Sequence, residues 1–288
     1  MAIWNLGSIN ADAYYKVGSL PRPGETLAAL GRESFLGGKG TNMSVAAARA
    51  ASRVHHIGAV GEDGNWARDR LMEYGVDTTH VTEVDTPTAE ALIFVDAQGE
   101  NSIVLYSGAN AEIPQRTLQN ALAEAETGDW FVAQNETNLQ RTGAKLASDM
   151  GLKVAYAAAP FDADRVAAVL PYLDFLILNA IEATQLKDAT GKAPDALGVA
   201  DVIVTLGGDG ADWYGAGGRQ HFDAIPVTPV DTTGAGDTFT GYVLAGLDQG
   251  MPMAQAINQA MQAAALMVTR HGTADVIPDL SEVRKARH

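Results

Sequence analysis

The chain has 288 residues, enough for one large α/β domain or for one domain with a small appendage. Its formal net charge of -15 argues against nucleic acid or an anionic membrane surface as a partner, because long-range attraction has the wrong sign. The absence of cysteine excludes disulfides, thiolate zinc sites and cysteine nucleophiles. No apolar run reaches membrane-spanning length and no basic region precedes a signal core, so the sequence predicts a soluble, cytoplasmic protein.

The first third of the chain predicts a strand, an extended segment and a helix. Residues 3–9 read as a strand that ends at Asn10-Ala11-Asp12. Residues 14–36 alternate weakly around a Pro-Gly turn, and an alanine-rich helix follows from Thr41 to Arg53. Between residues 89 and 106, two β-rich runs flank a glycine-containing turn, which is a hairpin signal. The extended segment and the hairpin together predict a small sheet beside the main domain.

From residue 112 onward, short apolar runs alternate with amphipathic segments. This pattern predicts βαβ units and a mainly parallel sheet that is covered by helices on both faces. The predicted strands are 130–133, 153–157, 175–178 and 202–206, with a hairpin at 213–222, and the predicted helices are 114–125, 139–150, 164–170, 182–187, 237–248 and 253–269. The predicted fold class is therefore α/β, a three-layer α/β/α arrangement with a small β lid. The main domain comprises residues 1–10, 37–86 and 108–288, and the lid comprises 11–36 and 87–107.

The stretch Asp231-Thr232-Thr233-Gly234-Ala235-Gly236-Asp237 is a turn that opens a helix. The amides of Ala235, Gly236 and Asp237 are expected to lack intrahelical partners, and with the helix dipole they make an anion site. Gly234 and Gly236 allow unusual backbone angles and close approach of a ligand. Asp237 beside that site suits a base acting on a hydroxyl that attacks a phosphoryl group. The plainer interpretation is a capped helix after a flexible turn.

The common nucleotide-binding and hydrolase motifs are absent from the sequence. Gly37-Gly38-Lys39-Gly40 lacks the spacing of a P-loop, and Gly234-Ala235-Gly236 is not followed by glycine at the dinucleotide-binding step. No serine elbow or paired-histidine metal motif occurs, and His55 and His56 lack an acid at ligand spacing. The absence of these motifs excludes the simplest hydrolase and dehydrogenase functions.

Two glycine-rich turns remain, and each opens a helix. Gly37-Gly38-Lys39-Gly40-Thr41-Asn42, together with Asp231 to Thr238, resembles the two signatures of the ribokinase-like (PfkB) carbohydrate kinases. Further segments follow in the family's order over almost the whole chain: Asn10-Ala11-Asp12, Pro23-Gly24-Glu25-Thr26, Gln134-Asn135-Glu136, Asn179 with Glu182, and Thr205-Leu206-Gly207-Gly208-Asp209-Gly210. The resemblance implies the family's fold and ATP-dependent phosphorylation of a sugar's primary hydroxyl, with conversion of D-ribose to ribose 5-phosphate as the nearest match.

The resemblance also implies a role for each matching residue. Asp237 would be the base, and the amides of Gly234, Ala235 and Gly236 would form the anion hole. Sugar hydroxyls would be held by Asn10, Asp12, Gly38, Lys39, Asn42 and Glu136, because such groups suit a hydroxyl that both donates and accepts. ATP would lie along Asn179, Glu182, Thr205, Gly207 and Gly210, and Glu182 would reach Mg²⁺ through water.

A monovalent cation, K⁺, is implied beside the anion hole. The matching positions are Asp231, Thr233, Met267, Arg270 and Gly272, mostly through backbone carbonyls. Val276 stands where the family often has a small polar residue, which removes one expected ligand. Met261 stands near the adenine position and fits apolar stacking better than hydrogen bonding. By the same resemblance, the lids of two subunits would clasp each other to form a homodimer.

Two alternative functions stay open. One keeps the fold and changes the acceptor to 2-deoxyribose, a ketohexose or a nucleoside, although Asp12 and Glu136 favour a small polyol over a nucleoside. The other is a sugar- or nucleotide-sensing protein that binds without turnover, against which the intact Asp237 argues. Plainer interpretations also exist for single residues: Asn10 and Asp12 as the end of a strand, Glu136 as a solvated loop acid, Lys39 as a helix anchor and Glu182 as an ordinary first-turn acid.

Overall fold

Strands and helices alternate along most of the chain in the computed structural model, which describes residues 1–286. The strands are β1 Ile3–Leu6, β2 Asn10–Lys16, β3 Gly31–Gly37, β4 Val54–Val60, β5 Val81–Glu83, β6 Ala89–Val95, β7 Asn101–Tyr106, β8 Trp130–Gln134, β9 Lys153–Ala157, β10 Phe175–Asn179, β11 Asp201–Thr205, β12 Ala211–Gly215 and β13 Gly218–Phe222. The α-helices are α1 Lys39–Arg49, α2 Asn65–Glu73, α3 Gln115–Ala123, α4 Gln140–Asp149, α5 Ala163–Val169, α6 Ala180–Thr190, α7 Ala235–Asp248, α8 Met253–Met267 and α9 Leu280–Lys285.

The large sheet has nine strands in the order β13-β12-β11-β10-β9-β8-β1-β4-β5. Strands from β11 to β5 run parallel, and only the terminal pair β12 and β13 is antiparallel to its neighbours. In such a sheet, ligands bind in the crevice beyond the carboxyl ends of the strands. The chain leaves β1, β8, β10 and β11 at that edge, which therefore carries the loops of interest.

The core lies in two apolar layers, one on each face of the large sheet. Ile3 contributes to the layer that also holds α1, α7 and α8, whereas the adjacent Trp4 contributes to the layer under α3, α4 and α5. This division follows from the strand period of two, which sends successive side chains to opposite faces. The predicted three-layer α/β class is confirmed.

A second sheet of four strands stands apart in the order β3-β2-β6-β7. β2 pairs with β3 antiparallel and with β6 parallel, and β6 and β7 form the predicted hairpin. Asn10 and Asp12 begin this sheet, so the prediction that they end the first strand is wrong. β1 stops at Leu6, and Gly7 to Ile9 carry the chain across to the second sheet.

Several predicted boundaries move by a few residues. The helix predicted from Thr41 begins at Lys39 and ends at Arg49, and Ala51 adopts a left-handed conformation with φ 70° just after it. The helix predicted from residue 237 begins at Ala235, so the second glycine turn forms its first residues. The hairpin predicted at 213–222 is present as β12 and β13. Within residues 1–286, no helix is long and apolar enough to span a membrane.

Candidate active site

The first glycine turn forms the start of α1, whose amides are already capped by side chains. Gly38 has φ 95°, and a β-carbon there would fall 2.9 Å from the Ser8 carbonyl oxygen. The amide of Lys39 donates to Glu136 Oε2 at 3.0 Å, and the amide of Gly40 donates to Ser8 Oγ at 3.0 Å. Ser8 Oγ in turn donates to the same Glu136 oxygen at 2.6 Å. The reading of Glu136 as a solvated loop acid is therefore wrong, since its carboxylate caps a helix.

A chain of buried hydrogen bonds holds this helix terminus against the sheet. Asn5 Nδ2 donates to the Gly40 carbonyl and to Ser44 Oγ, both at 2.8 Å, while Gln134 Nε2 donates to Asn5 Oδ1 at 2.8 Å. Ser44 Oγ also contacts His56 Nδ1 at 2.9 Å. Burial lowers the pKa of His56 to about 4, so the ring is neutral and its role is structural. These bonds fix α1 relative to β8, the strand that precedes Glu136.

The partly buried ammonium of Lys39 faces four carboxylates at the sheet edge. The pKa of Lys39 is raised, chiefly by Asp237 and further by Glu136, Glu182 and Asp12. Burial raises the pKa of Asp12 to about 7, with repulsion from Glu136 and Asp237 adding to the effect and Lys39 opposing it. Burial likewise raises the pKa values of Glu136 and Glu182. Such a cluster carries excess negative charge, which a bound cation would offset.

The second glycine turn opens α7 with two amides exposed to a ligand. Gly234 adopts the left-handed conformation with φ 79°. The Ala235 amide donates to the Thr232 carbonyl at 3.2 Å, so the expectation that this amide is free is wrong. Within the described residues 1–286, the amides of Gly236 and Asp237 donate to no backbone carbonyl, as predicted. Two N–H groups at the positive end of the helix dipole therefore remain for an anion.

Asp237 lies at the rim of a cavity and is neither turned away nor sealed in the core. Asp237 is 7% exposed, and its Oδ2 accepts a hydrogen bond from Asn42 Nδ2 at 2.9 Å. The cavity has a volume of about 330 Å³, and we call it the donor cavity. Its other lining residues are Lys39, Met43, Ala157, Ala158, Ala159, Ile177, Leu178, Asn179, Glu182, Thr205, Gly207, Thr232, Gly234, Gly236 and Thr240. The structure therefore brings most of the residues predicted for ATP together with the predicted base.

Two of the residues predicted for ATP also have structural roles. Asn179 Oδ1 accepts the Glu182 amide at 2.9 Å and Glu182 Oε2 accepts the Asn179 amide at 2.8 Å, a reciprocal cap at the start of α6. Glu182 is thus an ordinary helix-capping acid that also lines the donor cavity.

Gly210, which was also predicted for ATP, lies outside the donor cavity. It stands in a turn with φ 97°, and a β-carbon on Gly210 would fall 1.9 Å from the Phe222 carbonyl oxygen.

A second cavity of about 460 Å³ is lined by Asn10 and Glu136, two of the six residues predicted for the sugar, and we call it the acceptor cavity. Its lining residues are Asn10, Leu105, Ser107, Asn110, Ala111, Asn135, Glu136, Thr137, Asn138, Pro160, Phe161, Asp162 and Arg165. Lys39 lines the donor cavity instead, and Asp12, Gly38 and Asn42 line neither cavity. Asn10 Oδ1 accepts from Asn110 Nδ2 at 2.8 Å, and Asn110 Oδ1 accepts the Ile9 amide at 3.0 Å. Asp12 lies two residues after Asn10, on the same face of β2. The absence of a side chain at Gly37 leaves room for the Asp12 carboxylate, because a β-carbon on Gly37 would fall 1.9 Å from Asp12 Oδ2.

Sequence reasoning missed two residues that shape this region, Ser8 and Asn110. Ser8 links Glu136 to the start of α1, and Asn110 holds Asn10. Ser8 lies 128 residues from Glu136 and 32 from Gly40, and Asn110 lies 100 residues from Asn10, so no local pattern signals these contacts. Only their position beside glycine-containing turns could have drawn attention to them.

The positions predicted for a monovalent cation lie together on two adjoining segments. The amides of Val230 and Asp231 donate to the Val268 carbonyl at 2.7 and 3.1 Å, and the Gly272 amide lies 3.4 Å from Asp231 Oδ2. The Arg270 guanidinium binds Glu282 at 2.7 Å, so a role for Arg270 rests on its backbone carbonyl. One carboxylate among backbone carbonyls is a donor set that fits a hard monovalent cation.

Three other residues beside this region have identifiable contacts. Met267 is buried and its Sδ accepts from Thr238 Oγ1 at 2.7 Å. Thr233 donates its amide to Asp231 Oδ1 at 2.9 Å. Val276 packs towards Gly272, with its Cγ1 3.4 Å from the position of a β-carbon there. Asp231 and Thr233 are therefore ordered against the segment that carries Met267 and Gly272.

An α/β sheet, an acid at a glycine-opened helix terminus and adjoining donor and acceptor cavities define a phosphotransferase that acts on a hydroxyl group. The chain belongs to the pfkB family of carbohydrate kinases, since the model described as "pfkB family carbohydrate kinase" matches residues 3–280. The resemblance seen in the two glycine turns is thereby confirmed. The enzyme is a phosphotransferase with an alcohol group as acceptor.

Named relatives cover nearly the whole chain. A ribokinase of Haemophilus influenzae is 33% identical over 96% of this chain and 95% of its own length. A deoxyribokinase of Salmonella typhi is 31% identical over 98% of this chain and 97% of its own. The structure of Arabidopsis thaliana ribokinase, complexed with ribose and ATP, superposes with a TM-score of 0.87 at 28% identity, covering 99% of this chain and 98% of that one.

Proposed function

We propose that this kinase transfers the γ-phosphoryl group of ATP to the primary hydroxyl of a pentose, converting D-ribose to D-ribose 5-phosphate. The observation that carries the proposal is the place of Asp237, which is held at the mouth of α7 beside two free amides. The carboxylates of Asp12 and Glu136 on the acceptor side suit a small polyol, because a sugar hydroxyl donates well to an ionised acid. The relatives named ribokinase support ribose over other acceptors.

The chemistry follows from the charges that surround the transferred group. Asp237 accepts the proton of the acceptor hydroxyl, whose oxygen forms a bond to the γ-phosphorus while the bond to the bridging oxygen breaks and ADP leaves. Negative charge on the transferring group meets the amides of Gly236 and Asp237 and the ammonium of Lys39. The amides of Gly234 and Ala235 complete the anion hole once Ala235 releases the Thr232 carbonyl.

Two cations are part of the proposal. Glu182 lines the donor cavity and would reach Mg²⁺ through water, because Mg²⁺ keeps several waters and is usually bound by one or two carboxylates together with substrate phosphates. Bound there, Mg²⁺ would neutralise phosphate charge in a site that already carries four acids. K⁺ would be held by Asp231 and by the carbonyls of Thr233, Met267, Arg270 and Gly272, next to the turn that forms the anion hole.

We propose further that the small sheet acts as a lid and as a dimer contact. Leu105 of β7 lines the acceptor cavity, and Leu105 and its neighbours Ile103, Val104 and Tyr106 on the same strand are all about half exposed. An exposed apolar edge strand of this kind favours pairing with another copy. Sedimentation velocity tests this point: a dimer is expected, and a monomer at micromolar concentration would contradict it. Because ATP is the donor, a cytoplasmic location is proposed.

A panel of acceptors tests the function. Ribose, 2-deoxyribose, fructose and nucleosides are each offered with ATP and Mg²⁺, in K⁺ and in Na⁺, and the release of ADP is matched to the phosphorylated product. Ribose is expected to have the highest kcat/KM, with faster turnover in K⁺. Better turnover of nucleosides than of every free sugar would contradict ribose as the acceptor, and binding without ADP release would favour a sensor.

A further inference from the structure

The side-chain amide of Asn42 lies against the carboxylate of Asp237. Asn42 Nδ2 donates to Asp237 Oδ2 at 2.9 Å, and both residues are buried, at 4% and 7% exposure. Asn42 belongs to α1 and Asp237 to α7, so the packing of two helices from opposite ends of the chain makes this contact. The family resemblance assigns Asn42 to sugar hydroxyls, whereas the geometry directs its nitrogen at the base.

Gly241 sets the separation of the two helices. A β-carbon on Gly241 would fall 2.6 Å from the carbonyl oxygen of Met43 and 2.6 Å from Ala46 Cβ. The backbones of α1 and α7 therefore approach closely, one turn beyond Asp237 and one residue beyond Asn42. This close packing fixes the hydrogen bond in place, since neither helix can slide without a clash.

Gly234 places the anion-binding turn beside the same amide. A β-carbon on Gly234 would fall 3.3 Å from Asn42 Nδ2 and 3.0 Å from Met267 Cε. The Asn42 amide thus lies between the turn and the base. Its Oδ1 is buried and, among residues 1–286, has no hydrogen-bond partner. Buried amide oxygens without a partner are uncommon, and a hydroxyl of a bound acceptor would satisfy this one.

We propose that Asn42 is the positioning residue of the base, with its nitrogen on Asp237 and its oxygen reserved for an acceptor hydroxyl. The inference rests on the proposed role of Asp237. The hydrogen bond occupies Asp237 Oδ2 and leaves Asp237 Oδ1 as the oxygen that takes the proton. One side chain thereby aligns acceptor and base.

Asn42→Ala and Asn10→Ala form a matched pair that tests this role. Both remove an asparagine proposed to bind the acceptor, but only Asn42 contacts Asp237, while Asn10 contacts Asn110. The measurements are kcat and KM for ribose. Asn42→Ser serves the same purpose if Asn42→Ala does not fold.

The expected result for Asn42→Ala is a fall in kcat of about 10- to 100-fold, because a misaligned base slows proton transfer. Asn10→Ala should instead raise KM for ribose more than it lowers kcat. A kcat for Asn42→Ala equal to that of the unmodified enzyme, with only KM changed, would overturn the proposal.

Carbon-13 NMR of the Asp237 carboxyl in the free enzyme tests the contact without turnover. At a fixed pH, its chemical shift is expected to change in Asn42→Ala, because the carboxylate loses a hydrogen-bond donor, and to stay unchanged in Asn10→Ala. Equal chemical shifts in both variants would again overturn the proposal. If the unmodified enzyme phosphorylates no sugar, the proposed function fails separately, and the NMR comparison still tests the contact.

Discussion

The two glycine turns open two helices that face the same site, yet their termini differ in what occupies them. At α1, the first amides are bound by the Glu136 carboxylate and by Ser8, and buried hydrogen bonds lie beneath. At α7, the amides of Gly236 and Asp237 are free to bind an anion. Similar sequence patterns therefore serve two purposes. The N-terminus of α1 is a rigid support for the acceptor side of the site, and the N-terminus of α7 is an open site for the transferred phosphoryl group.

The glycines of the two turns show the same difference. A β-carbon on Gly40 would fall 2.3 Å from Gly7 Cα and 2.3 Å from the Ser8 nitrogen, so this glycine is needed for backbone packing. A β-carbon on Gly236 would have no heavy atom within 4 Å among the residues that the structure describes. Gly236 is therefore explained by access for a ligand and not by packing.

The largest effect is expected from Asp237→Asn, which keeps the shape of the side chain and removes its basicity. Loss of a general base typically lowers turnover by ~10²–10⁴-fold. We expect kcat to fall by that factor without a decrease in Tm, as measured by a coupled ADP assay and by thermal unfolding. If the variant retains more than about a tenth of the wild-type kcat, Asp237 is not the general base.

Alanine substitutions in the two glycine turns distinguish a glycine needed for backbone packing from a glycine needed for access of the phosphoryl group. Gly236→Ala should fold with an unchanged Tm and lose about 10²-fold in kcat, because the added methyl group displaces the phosphoryl group from the amides. Gly40→Ala should instead lose stability by about 1–3 kcal/mol, because the backbone of the neighbouring segment must move. Thermal unfolding and steady-state kinetics are measured on both. Loss of stability in Gly236→Ala, with activity retained, would contradict the distinction.

A smaller effect is expected from pH on the acceptor side. With the pKa of Asp12 raised to about 7, this acid is mostly protonated at pH 6 and ionised at pH 8. Because an ionised carboxylate accepts a sugar hydroxyl more strongly, KM for ribose should fall about tenfold between pH 6 and pH 8. Asp12→Asn should have a high KM that does not change over this range. A KM for the unmodified enzyme that is independent of pH would count against the buried acid cluster.

The smallest effect is on stability. The folded state holds the Asp12 proton more tightly than the unfolded chain, whose carboxyl has the ordinary pKa of 3.8. Its contribution to stability is therefore greatest below about pH 4 and decreases as the pH rises towards 7. Asp12→Asn should raise Tm by a few degrees at pH 8 and have little effect at pH 4. A lower Tm at pH 8 would show that the ionised acid stabilises the fold.

Much of this fold could be predicted from local patterns in the sequence. Apolar runs and amphipathic segments indicate the parallel sheet, and the turn residues indicate both hairpins and both helix starts. Asp237 could be singled out because it stands in a turn with two glycines whose amides were expected to bind an anion. These features depend on residues close together in the chain, which is why pattern reasoning finds them.

The remaining features depend on contacts between distant residues. Asn10 and Asp12 belong to the second sheet because β2 pairs with β6, nearly eighty residues later. Gln134 reaches Asn5, and Asn110 holds Asn10, across similar or longer separations. One exception is local: the Thr232 carbonyl binds the amide of Ala235, three residues later, and this contact depends on the exact path of the turn. None of these contacts has a periodic or compositional signal.

The account rests on Asp237 meeting the acceptor hydroxyl where the α7 amides meet the phosphoryl group. The most direct measurement is a crystal structure of the enzyme with ribose, ADP and a planar mimic of the transferring phosphoryl group. The primary hydroxyl is predicted to lie about 2.6–3.2 Å from an Asp237 carboxylate oxygen, with the mimic on the amides of Gly236 and Asp237. A hydroxyl bound by Glu136 or Glu182 instead, with the mimic away from α7, would contradict the account.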